Sequence, residues 1–163
     1  VNIFASSVST KESAQALDDK RLIKMILESA QMLSTNLNLN GIKGPYKTTH
    51  QNHPCAIWTR TSHANYFWLF GHFMFLCEEY TYRFGKIHKC EQYQTVFINN
   101  STKLNYATTE RTPFPNCTTF KHIEDTTQAY RLYLNEKWKN DKRAPKWTNR
   151  QPPDWYLPIA LSA

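Results

Sequence analysis

The stretch LDDKRLIKMILESAQMLS, residues 17–34, constrains the fold more than any other part of the chain. Wound at ~100° per residue, it puts Leu22, Ile23, Ile26, Ala30 and Leu33 on one side and Lys20, Lys24, Glu28 and Gln31 on the other. A helix divided this way lays its apolar stripe on a core and leaves its polar face to solvent or to a cleft. Taken alone, Glu28 four residues after Lys24 is an ordinary surface pair, worth a few tenths of a kcal/mol.

The rest of the chain agrees with a helical protein. Its 163 residues include only 4 glycines, too few for a fold built on tight hairpins, and neither a GxGxxG nor a P-loop pattern occurs. Aromatics make up 14% of the residues, which argues against disorder, and the length suffices for one core without disulfide or metal staples. Residues 1–8 form a short, mostly apolar entry segment. Ser9 and Glu12 have the spacing of a capping box, opening a helix that runs to about Leu33 with a break near Leu17–Asp18. Asn36–Gly44 has loop composition. Pro54 opens a second helical stretch that ends at Gly85, with a break near Thr61–Ser62. Glu91–Asn99 makes a short helix, Ser101–Phe120 a long loop, and Asp125 caps a last helix over Thr126–Asn140. The expectation is all-α: a single compact helical domain over 1–163, with an extended N-terminal segment and a Pro-rich basic C-terminal tail.

The net charge of +7 favours polyanionic partners, nucleic acid foremost, with plain solubility charge as the alternative. Six basic residues fall between Lys137 and Arg150 against one acid, Asp141. Cys55, Cys77, Cys90 and Cys117 lack CxxC spacing, and residues 1–10 do not read as a signal peptide, so reduced thiols and a cytoplasmic location are expected. The longest apolar run, Tyr66–Cys77, is too short for a membrane span.

Within the second helical stretch Trp58, Asn65, His72, Glu79 and Lys86 recur every seven residues, with Arg83 four after Glu79. This polar line through aromatic surroundings reads either as an internal hydrogen-bond ladder or as one wall of a cleft facing Lys20, Lys24, Glu28 and Gln31. His50 and His53 make a poor zinc signature, and no nucleophile-elbow pattern supports a Ser/His/Asp triad. Of the five tryptophans, Trp58 and Trp68 belong to the core, while Trp147 in the basic tail is expected to contact nucleic acid by stacking.

LDDKRLIKMILESAQML, followed by HPCAIWTR, NYFWL and CEEYTYRFGK, resembles the pyrimidine-dimer DNA glycosylases of the phage endonuclease V type and their small bacterial and phage relatives. Asp19 and Glu28 reproduce that group's nine-residue spacing from Asp to Glu, and His53, Pro54, Trp58, Arg83 and Gly85 its second-helix pattern. A weaker likeness covers YLNEKWKNDKRAPKW and PPDWY. The resemblance implies an all-helical monomer acting on double-stranded DNA without a cofactor, as a DNA glycosylase with AP-lyase activity, in a bacterial host cell if the chain is viral. In that group the α-amine of the mature N-terminus attacks the sugar C1′ to form an imine, and the helix Glu assists ring opening and β-elimination; α-amines titrate near ~7.7–8 and so are partly nucleophilic at neutral pH. Carried over, Val1 supplies the amine and Glu28 the acid/base. The expected DNA-contacting residues on the first helix and N-terminus are Asn2, Lys20, Arg21, Lys24 and Gln31. Along the second stretch they are His53, Trp58, Arg60, Asn65, His72, Glu79, Arg83 and Lys86, and in the tail Lys142, Arg143, Lys146 and Trp147. The chain has Val1 and Asn2 where the group places a small and then a basic residue, and Leu27 and Gln31 where it flanks its Glu with arginines. Other readings are a metal-dependent nuclease built on His50, His53 and His72, another DNA- or nucleotide-modifying enzyme, and a non-catalytic basic DNA-binding protein.

Overall fold

A computed structural model describes residues 1–158. Six α-helices follow in order: α1 Thr10–Ala16, α2 Asp19–Leu39, α3 Pro54–Thr61, α4 His63–Phe84, α5 Gln94–Asn99 and α6 Thr126–Asn140. Two 3₁₀ turns, Lys89–Tyr93 and Ser101–Lys103, flank α5. No strand forms among the described residues, and the fold is all-α; a single bridge joins Ser62 to Thr108. No helix among them is long and apolar enough to cross a membrane.

Local signals set most boundaries. Ser9 Oγ accepts the Glu12 N–H, but the Glu12 carboxylate does not return to Ser9 directly. It accepts from Ser7 Oγ, which in turn accepts the Ser9 N–H, so the capping box closes through one added hydroxyl. Leu17 and Asp18 are extended and separate α1 from α2; Ser62, likewise extended, separates α3 from α4 and caps it. Gly85 ends α4 in the left-handed conformation at φ 68°.

Helix α2 departs from expectation in two ways. It runs six residues past Leu33, because Leu37 is still buried and asparagines that favour loops are put to use here. Asn38 donates to the Tyr46 carbonyl and accepts the Gly44 N–H, folding the following loop back on the helix. The apolar stripe is also rotated from the expected one: Leu22, Met25, Ile26, Ala30 and Leu33 are buried, while Ile23 and Leu27 remain 43% and 37% exposed.

The core lies where α1, α2 and α3 pack on α4, with Tyr66, Leu69, Phe73 and Leu76 of α4 fully buried. The last turn of α6 and the tail after it are strapped across the α1–α2 junction. Trp138 donates to Asp18 Oδ1 (2.8 Å), Trp147 to the Ala16 carbonyl (2.9 Å), and the Asp19 N–H to the Lys146 carbonyl (2.8 Å). Trp147, expected to stack on nucleic acid, is half-buried and packs its ring edge-on against Trp138 and tilted against Tyr156.

Candidate active site

The entry segment is shaped to bring residue 1 onto α2. Asn2 donates through Nδ2 to the Cys117 carbonyl (3.2 Å) and accepts the Phe4 N–H (2.9 Å), while Phe4 takes a left-handed φ of 41°. That conformation costs a bulky residue roughly 1–2 kcal/mol. It is offset by burial of Ile3, Phe4 and Ala5 in the core and by the Ser6 N–H, which closes a turn on the Phe4 carbonyl. The Val1 amino nitrogen then stands 2.8 Å from Glu28 Oε1, with the two side chains only 3% and 15% exposed. The second oxygen, Glu28 Oε2, is buried and meets no hydrogen-bond donor of the protein. One oxygen of this carboxylate holds the amine; the other is desolvated without a hydrogen-bond partner, a costly state for a buried polar atom.

His53, Cys55 and Cys117 adjoin this pair. His53 Nδ1 accepts the Cys55 N–H (3.1 Å), capping α3. Burial, then the positive field of the Val1 ammonium, His50 and Lys121, hold the imidazole below its ordinary value. One nitrogen of His53 and the two sulfurs lie within 4.8 Å of one another and are the set of described residues able to hold a metal. The histidine trio considered for a nuclease does not assemble around it: His72 is buried under α1, its Nδ1 donating to the Thr10 carbonyl at 3.3 Å.

The seven-residue polar line takes the form of a ladder. Asn65 donates to the Trp58 carbonyl and Thr112 Oγ1, both at 2.8 Å, and accepts the Thr112 N–H; Trp58 donates to the Thr112 carbonyl. Glu79 is 3% exposed and receives Arg83 Nε (2.8 Å) and both Arg150 Nε (2.6 Å) and Nη2 (2.7 Å). Arg83 goes on to Asp19 (3.1 Å) and the Gln15 carbonyl (2.9 Å). The partners of Asn65, His72, Glu79 and Arg83 therefore come from α1, the start of α2, α3, the 112 loop, the tail and α4 itself, not from the Lys20–Gln31 face. Lys86 lies past the helix end and is exposed.

Other expected contacts divide by exposure. Lys20, Lys24, Lys142, Arg143 and Lys146 are exposed, and Lys20 joins the three tail cations around a groove that also contains Asp18 and Asp19. Arg21 is tied to Asp141 (2.8 Å) and Asp18 (3.3 Å). Gln31 and Arg60 are half-buried, and Arg60 Nη1 is buried without a partner. Nothing in the sequence around Cys117, Asp141 and Arg150 signals the partners they take here. Each acts through a residue 62 or more positions away, and no local pattern marks such pairings.

A family described as pyrimidine dimer DNA glycosylase matches the chain over residues 1–92, which contain the Val1–Glu28 pair, all of α1–α4 and His53. No curated protein and no solved structure matches it. With more than half of its length matched and its first residue held against the helix glutamate, the chain belongs to the pyrimidine dimer DNA glycosylase family, enzymes of DNA repair.

Proposed function

We propose that the protein is a DNA glycosylase with AP-lyase activity. With Val1 as first residue of the mature chain, its α-amine is the nucleophile and Glu28 the acid/base. The observation that carries this reading is the 2.8 Å contact between the Val1 nitrogen and Glu28 Oε1, with Oε2 buried and unpartnered beside it. A carboxylate there serves two needs. It orients the amine and accepts the proton that the amine must lose to become nucleophilic. The free amine then attacks C1′ of a nucleotide drawn out of the duplex, the glycosidic bond breaks, and the base leaves with the bonding pair and a proton. The C1′–O4′ bond opens as the imine forms, with O4′ taking a proton from Glu28. Glu28 next removes a C2′ proton, the C3′–O bond breaks by β-elimination, and water releases the sugar fragment from the amine.

Duplex DNA approaches along the exposed face of α2, where Lys20 and Lys24 offer charge to phosphates and Ile23 and Leu27 offer apolar surface beside Glu28. Lys142, Arg143 and Lys146 extend the basic surface from the tail groove. Val1 and Glu28 come from one chain, so the proposed chemistry needs no residue from a second copy. Glu28→Gln keeps shape and removes the titrating group, so strand cleavage at an abasic site is expected to fall ~10²–10⁴-fold while duplex affinity is retained. Cleavage within threefold of wild type would remove Glu28 from the chemistry.

A further inference from the structure

Cys55 and Cys117 have no part in the proposed reaction, yet they form a built site beside it. The Cys55 thiol donates to Cys117 Sγ at 3.2 Å. Cys55 sits fully buried in the first turn of α3; Cys117 sits half-buried in the loop before α6. Both backbones are pinned. The Cys55 N–H is held by His53, the Cys117 N–H by the Pro115 carbonyl (3.1 Å) and Tyr130 Oη (3.3 Å), and the Cys117 carbonyl by Asn2 (3.2 Å). No other two thiols among the described residues are within hydrogen-bond distance; Cys90 instead meets Tyr46 Oη at 3.1 Å.

We propose that Cys55 and Cys117 are an oxidisable dithiol, which a small-molecule disulfide converts into a Cys55–Cys117 bridge. Their environments divide the labour. Cys117 is the more exposed of the two sulfurs, so its thiolate is the one that meets an added disulfide first. Cys55 is fully buried behind it, with its S–H donated to Cys117 Sγ, and so reacts second. The Cys117 thiolate attacks one sulfur of the added disulfide, whose S–S bond breaks and releases one thiolate. Cys55 then gives up its proton, and its sulfur attacks Cys117 Sγ, releasing the second thiol. The pair loses two electrons and two protons, and the added disulfide becomes two thiols. The inference is independent of the Val1 and Glu28 chemistry, because it concerns other atoms and is read without DNA.

The full chain, incubated at pH 7.5 with glutathione disulfide, is expected to become lighter by two hydrogens, and its titratable thiols to fall from four to two on denaturation. Peptide mapping then finds Cys55 joined to Cys117. Cys55→Ser is expected to stop at a single glutathione adduct on Cys117, and Cys117→Ala to keep three free thiols; the Cys77→Ser/Cys90→Ser double variant still forms the bridge. Four unreacted thiols, a persistent glutathione adduct in the wild type, or a bridge involving Cys77 or Cys90 would overturn the proposal. So would a bound zinc ion, held with His53 and protecting both sulfurs until a chelator removes it.

Discussion

Replacing Glu79 by Gln tests whether the polar line of α4 is architecture or DNA-contacting surface. Glu79 gathers Arg83 from its own helix and Arg150 from the tail, and through Arg83 it reaches Asp19 and α1. Arg83 is 0% exposed at its side chain, so its guanidinium has no water to fall back on. Breaking a buried pair by neutralising one member costs about 3–5 kcal/mol. Arg83 keeps Asp19 and the Gln15 carbonyl, so the lower end applies, about 3 kcal/mol. At 2–4 °C per kcal/mol for a chain of this size, the Tm should drop by about 6–12 °C. Arg150 is the comparison: its side chain is 26% exposed and Arg83 stays on Glu79 Oε2 without it, so Arg150→Ala, which strips Glu79 Oε1 of its partner, should cost less, about 1–2 kcal/mol. Urea titration of wild type and both variants reads the difference. If Glu79→Gln costs less than Arg150→Ala, or leaves stability within ~0.5 kcal/mol while weakening DNA binding, the ladder reading is wrong and Glu79 is a contact residue.

Changing Lys142, Arg143 and Lys146 together to Ala should flatten the dependence of log affinity for duplex DNA on log salt by ~0.9 per lost phosphate contact, ~2.7 if all three are engaged; an unchanged slope excludes this surface from the interface. Burial holds His72 down to about 4, so the folded state refuses a proton that the unfolded chain accepts from an ordinary value near 6.5. Stability is unaffected above that value, falls as pH drops from 6.5 toward 4 by about 3 kcal/mol in all, and then levels off. His72→Asn should remove that share of the pH dependence in urea titrations, and a wild-type curve matching the variant's would contradict it.

Much of the fold is legible in the chain because its boundaries rest on local chemistry. Ser9, Pro54, Gly85 and Asp125 each act within a few residues of themselves, and the structure uses all four at helix ends. Where a residue's partner is distant, the reading from sequence is weaker. Asn38 looks like a loop residue until the Tyr46 carbonyl and Gly44 N–H stand beside it, and Trp147 looks free until the Ala16 carbonyl takes its N–H. The heptad line reads correctly as a polar row, but which wall it faces depends on where α1 and the tail come to rest. Glu28 is the reverse case. Nothing in its own helix distinguishes it from a surface carboxylate; the resemblance in spacing pointed to it, and Asn2 and Phe4 bring Val1 to its side.

In the proposed reaction the α-amine of residue 1 forms the covalent link to DNA. The direct measurement is borohydride reduction of the protein with a duplex carrying one abasic site, followed by mass mapping of the cross-linked peptide. A single reduced adduct on the α-nitrogen of Val1 is expected, formed equally with chelator present and lost when a residue is added ahead of Val1. An adduct on a lysine, or cleavage that survives the N-terminal extension and vanishes with chelator, would contradict it.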